Sequence, residues 1–241
     1  MNNETWASLI NLWRRAFFTE PILISAFLLC FIIGLFRHQR QRERLLFTFY
    51  SFVGVLLFPT LTMIELLKVR TGRDLTIFTE TGNSIFELVE FIAFYYFFKS
   101  CLRFAGAKAI LKTFLIILCI SISAFLFMLT YSGYRDQEIQ KHSLFINVIE
   151  FLFLAVLCLA YFVELFSDPP NINLFERPSF YIVIGAFFYA ALMIPFFMVA
   201  RNIYQFDHAI YFPLFSCHFV LLTFLMIAIA NAMICRKPIT T

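Results

Sequence analysis

The sequence predicts an all-α fold: a polytopic integral membrane bundle of seven transmembrane helices, with its amino terminus outside and its carboxyl terminus in the cytoplasm. Of the 241 residues, 61% are apolar, against about 45 to 50% in an ordinary soluble domain. Only 14% are charged, and they cluster between apolar runs of about 20 residues, the length that crosses a hydrocarbon core about 30 Å thick. The connections are too short to hold a soluble catalytic domain.

The seven apolar runs are residues 21–36, 45–67, 84–102, 113–131, 143–166, 180–200 and 214–234. The first run is followed by arginines, beginning with Arg37. A secretory signal peptide has its positive charge before the apolar stretch, so this run is predicted to stay as a helix. The chain then divides into an outer interfacial segment (1–20), the transmembrane domain (21–234) and a short cytoplasmic tail (235–241).

Orientation follows from the basic residues, because Lys and Arg in short loops are retained on the cytoplasmic side. With the first loop inside, eleven of the 19 basic residues fall on the inner side and eight on the outer side. This charge bias favours an outer amino terminus, in the inner (cytoplasmic) membrane of the cell. The net charge of +4 is explained by basic clusters beside an anionic leaflet and indicates no nucleic-acid partner.

Three further patterns in the sequence bear on individual helices. In segment 1–20, Trp6 and Trp13 share one face of a helical pattern, which is typical of an amphipathic helix at the membrane interface. A flexible lead-in explains the segment equally well. Pro59 lies inside the second run, where it removes a backbone donor and is expected to kink the helix. Pro178 is at the entry of the sixth helix, a position that proline favours.

The candidate ligand-binding residues are polar groups inside the apolar runs, since a charge at mid-bilayer costs about 3 kcal/mol or more. Glu90 in the third run and Glu150 in the fifth are each followed by phenylalanine and preceded by a second polar group, Glu87 or Asn147, three residues earlier. That spacing puts each pair on one helix face. With His218, these groups are predicted to share a layer about 5 to 10 Å from the outer helix ends. Two further residues are predicted just above that layer, Glu65 and Arg201.

Two interpretations of this layer stay open. The groups could line a polar pocket open to the outside, or they could be structural, forming hydrogen bonds between helices or snorkelling to the interface. Several cofactor and enzyme classes find no support: the seventh run has no lysine for a retinal Schiff base, and a single intramembrane histidine does not make a bis-histidine haem. No metal-ligand, phosphate-loop or serine-hydrolase motif occurs. We therefore expect no cofactor, no metal and no enzymatic activity.

The inner loops supply a candidate docking surface for a partner. It consists of basic residues in the first and second inner loops, namely Arg40, Arg42, Arg44, Lys108 and Lys112. Contact with lipid headgroups is the alternative explanation for these charges.

The stretch from Leu174 through Pro178 to Ile182, followed by Gly185 and Tyr189, together with the Asn147 to Phe151 pattern, resembles a group of Bacteroidetes membrane proteins. Members of that group have about seven helices and are fused to, or encoded beside, histidine kinases. The resemblance covers roughly residues 80 to 234. It implies a sensory role, with a histidine kinase or other signalling protein on a separate chain.

Taken together, these observations favour a membrane-embedded sensor that passes a signal from an outward-facing polar pocket to a cytoplasmic or membrane partner. The alternative is a proton- or ion-coupled transporter or channel component that uses Glu90 and Glu150 as carriers. The two similar helices run in the same direction, which is not the inverted repeat common in secondary transporters. The lipid bilayer is the expected surrounding in either case, and the sequence does not indicate an oligomeric state.

Overall fold

The fold was analysed in a computed structural model, which describes residues 20–36, 42–72, 75–130, 136–167, 174–206 and 208–235. The predicted interfacial helix before residue 20 lies outside the described residues, as does the tail after Cys235. Within the described part, the regular secondary structure is entirely helical.

Seven α-helices follow one another along the described chain. They are α1 (Glu20–Phe36), α2 (Arg42–Thr71), α3 (Thr76–Cys101), α4 (Ala105–Thr130), α5 (Asp136–Ser167), α6 (Pro178–Phe206) and α7 (His208–Ile234). A short 3-10 turn, Leu174–Glu176, precedes α6. Each helix contains one of the seven predicted apolar runs apart from a residue or so at an end, and α6 begins at Pro178 as predicted.

The helices are longer than the apolar runs, and this is the main difference from the sequence prediction. The helix α3 begins at Thr76 rather than at residue 84, and α5 begins at Asp136 rather than at residue 143. Hydrophobicity marks only the part of a helix that crosses hydrocarbon, whereas backbone hydrogen bonding continues into the polar flanks. Pro59 lies inside the helix α2, as predicted.

The seven helices form a closed ring. Each packs against the next in the chain, and α1 also packs against α7, which closes the circle. The helix α3 additionally contacts α5. All seven helices contribute buried residues to one hydrophobic core.

The chain is a multi-pass membrane protein by the length and apolarity of its helices. Five of them are long and apolar enough to cross a bilayer, namely α2, α4, α5, α6 and α7, and α1 is a shorter apolar helix of 17 residues. In the described chain, α3 does not reach the same apolarity, and it carries Glu87 and Glu90 in its central run.

Close helix contacts rest on small residues. A Cβ at Gly185 on α6 would come within 2.7 Å of the Cβ of Ala228 on α7, so only glycine permits this approach. A Cβ at Gly54 on α2 would come within 2.5 Å of the ring of Phe27 on α1. Small residues at such crossings let helices approach closely in membranes, where dispersion contacts rather than the hydrophobic effect drive association.

Candidate functional site

The interior of the ring contains a hydrogen bond between two helices. The hydroxyl of Tyr50 on α2 donates to Oε2 of Glu90 on α3 over 3.2 Å. Tyr50 is completely buried and Glu90 is 5% exposed. A carboxyl group taken out of water needs a polar partner, and Tyr50 provides one.

Two more polar groups lie close enough to interact electrostatically with this pair. Glu150 on α5 is within range of Glu90 and of Glu87, and Tyr189 on α6 is within range of the same carboxylates and of Glu150. Both are buried, with Glu150 6% exposed. We call Tyr50, Glu90, Glu150 and Tyr189 the central cluster. It brings together side chains from four helices.

Aromatic rings enclose the central cluster. On the Tyr50 side, the ring of Tyr50 contacts Phe27 with centroids 5.6 Å apart and Phe86 with centroids 5.4 Å apart. On the Tyr189 side, the ring centroid of Phe151 lies 5.0 Å from that of Tyr189. These rings exclude water, which strengthens every electrostatic interaction within the cluster.

His218 on α7 belongs to this aromatic shell. Its ring centroid lies 5.8 Å from that of Tyr189 and 6.1 Å from that of Phe197. The side chain is half-buried. The structure therefore places the predicted histidine beside the central cluster, at one side of it.

A small cavity adjoins the cluster between α3 and α5. It has a volume of about 10 Å³ and is lined by one carboxylate and six apolar or aromatic side chains: Phe91, Phe94, Tyr95, Glu150, Phe153, Leu154 and Leu157. This volume is near the minimum that holds one water molecule. Glu150 is the acidic residue among the lining side chains, and the surface of the chamber is almost entirely apolar.

The predicted companions of the two glutamates are less buried. Glu87 is half-buried and interacts electrostatically with Glu150. Asn147 is half-buried and lies one helical turn before Glu150. These two residues occupy the side of the cluster nearer the helix starts.

Glu65 does not belong to the central cluster. Glu65 is fifteen residues beyond Tyr50 on α2, which corresponds to about 22 Å along the helix axis. Arg201 lies in the backbone of α6, but its side chain is outside the part of the protein that the structure describes.

The glutamates are deeper than the sequence indicated. Glu90 and Glu150 each lie fourteen residues after the first residue of their helix, Thr76 and Asp136, or about 21 Å at 1.5 Å per residue. The difference from the predicted 5 to 10 Å arises because α3 and α5 begin earlier than their apolar runs. Both glutamates are nearly inaccessible in the structure.

The predicted docking residues have different environments. Lys108 and Lys112 are exposed on α4, and exposed Arg42 places its guanidinium carbon 4.5 Å from the ring centroid of Tyr96. Arg40 lies outside the described residues. Arg44 is 3% exposed and donates from Nη2 to the carbonyl of Cys235 over 2.8 Å. It thus contacts the carboxyl-terminal end of α7 and is not part of an exposed surface.

Contacts of four residues were not predicted from the sequence. Besides Tyr50 and Tyr189, these involve Glu20 on α1, whose buried carboxylate accepts a hydrogen bond from the hydroxyl of Thr62, and Glu164 on α5. The Glu164 carboxylate accepts the backbone N–H of Arg103 over 2.8 Å and of Phe104 over 2.9 Å, just before α4. A tyrosine in an apolar run carries no sequence signal that separates a buried hydroxyl from one at the interface.

The described residues contain no group of three His, Cys, Asp or Glu side chains arranged to hold a metal ion. Their six cysteines are all free thiols. The polar groups of the central cluster are two carboxyl groups and two phenols.

Comparison with protein-family models, with curated proteins and with solved structures finds no match to this chain.

Proposed function

We propose that this protein is a membrane-embedded sensor in which the central cluster receives the signal. The observation that carries the proposal is the meeting of Tyr50, Glu90, Glu150 and Tyr189, from four helices, in a closed interior. Any ligand or charge change that alters one of these contacts acts on several helices at once. Such a junction suits a bundle that converts a local event into helix movement.

The proposed topology has all seven helices crossing the inner membrane, with the amino terminus outside and the carboxyl terminus in the cytoplasm. Two observations support counting α3 among the helices that cross the membrane. It is a member of the closed ring, and its outward face is apolar. That face exposes large apolar side chains, among them Phe78, Ile85 and Ile92. In a ring surrounded by lipid, such a face is expected on every member.

The proposed output is a separate signalling protein, a histidine kinase or a comparable partner, that contacts the inner side. Exposed Arg42, Lys108 and Lys112 support this assignment. Arg42 is held over the ring of Tyr96, and such cation–π contacts orient a surface arginine while leaving its N–H groups free to bind carboxylates.

The second candidate function is proton- or ion-coupled transport. It is favoured by the cavity of about 10 Å³ that Glu150 lines, because a water molecule beside a buried carboxyl group is a usual component of a proton path. In this candidate function, Glu90 and Glu150 are the groups that carry the proton or ion.

Two measurements on the same variants separate these functions. The gene is deleted in its host and complemented with wild type, Glu90→Gln, Glu150→Gln, or the control Glu43→Gln, a half-buried carboxylate at the start of α2. A sensor should show a set of transcripts that wild type and the control restore and the two cluster variants do not.

The purified proteins are then placed in vesicles that contain a pH-sensitive dye. The sensor should move no more protons than empty vesicles. Proton movement that wild type supports and Glu90→Gln abolishes would replace the sensor with the transporter. Transcripts restored equally by all four proteins would contradict a signalling role for the central cluster.

A further inference from the structure

Two cations come together at the end of the bundle where α2 begins and α3 ends. The guanidinium carbon of Arg42 lies 4.5 Å from the ring centroid of Tyr96, and Nζ of Lys99 lies 5.9 Å from the same centroid. Nζ of Lys99 is also 5.9 Å from the ring centroid of Tyr95. Positive charges from two neighbouring helices are therefore gathered around one aromatic ring.

Both cations are on the surface of the bundle. Of the charged residues of α2 and α3 at this end, Arg42 and Lys99 are exposed, whereas Glu43 is half-buried and Arg44 is buried. In the described part of the chain, the contacts of both cations are with aromatic rings and include no ion pair with a carboxylate. Like charges held close together repel each other, so an anion bound beside them interacts favourably with both.

Apolar side chains continue this surface toward the middle of the helices. On α2, Leu45 and Phe49 are 57% and 53% exposed, and their spacing from Arg42 keeps them on its face of the helix. On α3, Ile92 is 37% exposed and lies two turns before Lys99 on the same face. The two charges therefore adjoin side chains that contact acyl chains in a membrane.

The tyrosines indicate the depth at which the cations lie. Tyrosine is enriched at the level of the lipid headgroups, and Tyr95 and Tyr96 are half-buried in the last two turns of α3. Arg42 is the first residue of α2, just before the apolar run that begins at residue 45. Both cations are thus at the boundary of the apolar region, which is also the level of the phosphate groups of phospholipids.

We infer that this surface binds one phospholipid with an anionic headgroup. We call it the lipid surface, and it consists of Arg42, Lys99 and Tyr96 together with Leu45, Phe49 and Ile92. The phosphate oxygens accept hydrogen bonds from the two cations, and the acyl chains pack on the three apolar side chains. A zwitterionic lipid binds less well, because Arg42 and Lys99 repel the cation of its headgroup.

A lipid suits this surface better than a soluble partner does, because charges and membrane-facing apolar side chains are continuous in it. The inference goes beyond the proposed function and holds for a sensor and for a transporter alike. Arg42 is also a member of the proposed docking surface, so the bound headgroup would lie at the edge of that surface.

The test is thermal unfolding of the delipidated protein in a nonionic detergent at fixed ionic strength. Three probes are titrated: a short-chain phosphatidylglycerol, a phosphatidylcholine with the same chains, and glycerol phosphate, which has no chains. Phosphatidylglycerol should raise the unfolding temperature in a saturable way, and native mass spectrometry should show one retained molecule. The other two probes should not stabilise the protein at the same concentrations.

Variants assign the effect to the lipid surface. Arg42→Gln and Lys99→Gln should each weaken the apparent affinity for phosphatidylglycerol about 5-fold, the factor that corresponds to one basic residue at an anionic membrane surface. Tyr96→Leu removes the ring that holds both cations and should weaken binding, whereas Tyr96→Phe keeps the ring and should bind normally. The matched control is Arg70→Gln, which removes an exposed arginine near the opposite end of α2 and should retain full affinity.

Several outcomes would overturn the inference. Equal stabilisation by phosphatidylcholine would indicate a nonspecific layer of lipid, and equal stabilisation by glycerol phosphate would indicate a site for soluble anions. Full affinity in the double variant Arg42→Gln, Lys99→Gln would place any anionic lipid elsewhere. The comparison of the three probes uses the wild type alone, so it decides the inference even if a variant fails to fold.

Discussion

Tyr50 on α2 and Glu90 on α3 are joined by a hydrogen bond of 3.2 Å in the closed centre of the bundle. Tyr50→Phe removes the donor and keeps the ring contacts with Phe27 and Phe86. We expect the free energy of unfolding in detergent to fall by about 1 kcal/mol, because hydrogen bonds between membrane helices contribute about 0.6 kcal/mol on average and up to about 1.7.

A double-mutant cycle with Glu90→Leu isolates this pair, because leucine removes the acceptor. Each single change breaks the same hydrogen bond, so the two changes should be less than additive. Strict additivity would show that the hydrogen bond does not contribute to stability.

Arg44 should be a structural residue although it belongs to a basic cluster. Its guanidinium donates to the Cys235 carbonyl at the end of α7, where a cation also interacts favourably with the helix dipole. We expect Arg44→Gln to lower stability by about 1 to 3 kcal/mol, the range for a buried hydrogen bond to a charged group. The measurement is chemical denaturation beside exposed Arg42→Gln, which should change stability by less than about 0.5 kcal/mol. Equal effects would mean that Arg44 does not hold α7.

The docking surface can be tested with the exposed residues alone. Arg42, Lys108 and Lys112 are changed together to glutamine, and association with a co-purified inner-side partner is measured by pull-down from crosslinked membranes. Association should weaken while the unfolding temperature stays constant, because these side chains are exposed. Unchanged association would exclude these three residues from the interface.

Glu164 should hold the connection between α3 and α4. Its carboxylate accepts two consecutive backbone N–H groups, from Arg103 and Phe104, which resembles the capping of a helix start by an acidic side chain. Glu164→Ala is expected to lower stability by about 1 to 2 kcal/mol. Hydrogen exchange at these two amides should accelerate, whereas exchange in the middle of α4 should not. Protection that persists at both amides would contradict the capping role.

Gly185 and Gly106 together test how closely α6 packs against α7. A Cβ at Gly185 meets Ala228, whereas one at Gly106 on α4 has no heavy atom within 4 Å. Gly185→Ala should therefore destabilise the protein by about 1 to 3 kcal/mol through overpacking. Gly106→Ala should be neutral or stabilising by up to about 1 kcal/mol, because alanine favours helix. Thermal unfolding of both variants checks this, and similar losses would argue against close packing of α6 on α7.

The topology is tested by reporter fusions. Fusions at Gln41 and Thr241 should report the cytoplasm, and one at Gly133 should report the outer side. These outcomes follow from the basic residues of the first loop and from an odd number of crossings. An outer location for Thr241 would contradict seven crossings.

The helices could be predicted because apolar runs of membrane length have few alternatives to helix. Their ends could not, since Thr76 and Asp136 lie in polar flanks that contain no hydrophobic signal. Glu90 and Glu150 stood out because a carboxylate in an apolar run is costly. Their depth was underestimated for the same reason that the helix starts were: distance was counted from the apolar run.

The partners of those glutamates could not be predicted from the sequence. Whether the hydroxyl of Tyr50 or Tyr189 faces lipid or the interior depends on the rotation of α2 and α6 against helices that are distant in the chain. Arg44 shows the same limit. Which of the neighbouring arginines is buried depends on the helical phase of α2 and on its contact with α7, about 190 residues later in the chain.

The closure of the ring by α1 and α7 has a consequence for biogenesis. The ribosome delivers α1 to the membrane before α7, so the inward face of α1, including Leu23 and Cys30, has no α7 to cover it until the five helices between them and α7 itself have been synthesised. During that interval the insertion machinery or surrounding lipid must occupy the gap. The hydrogen bond from Arg44 to the Cys235 carbonyl likewise cannot form until α7 has been inserted. Insertion of α7 is therefore the step that completes the tertiary contacts of α1 and α2.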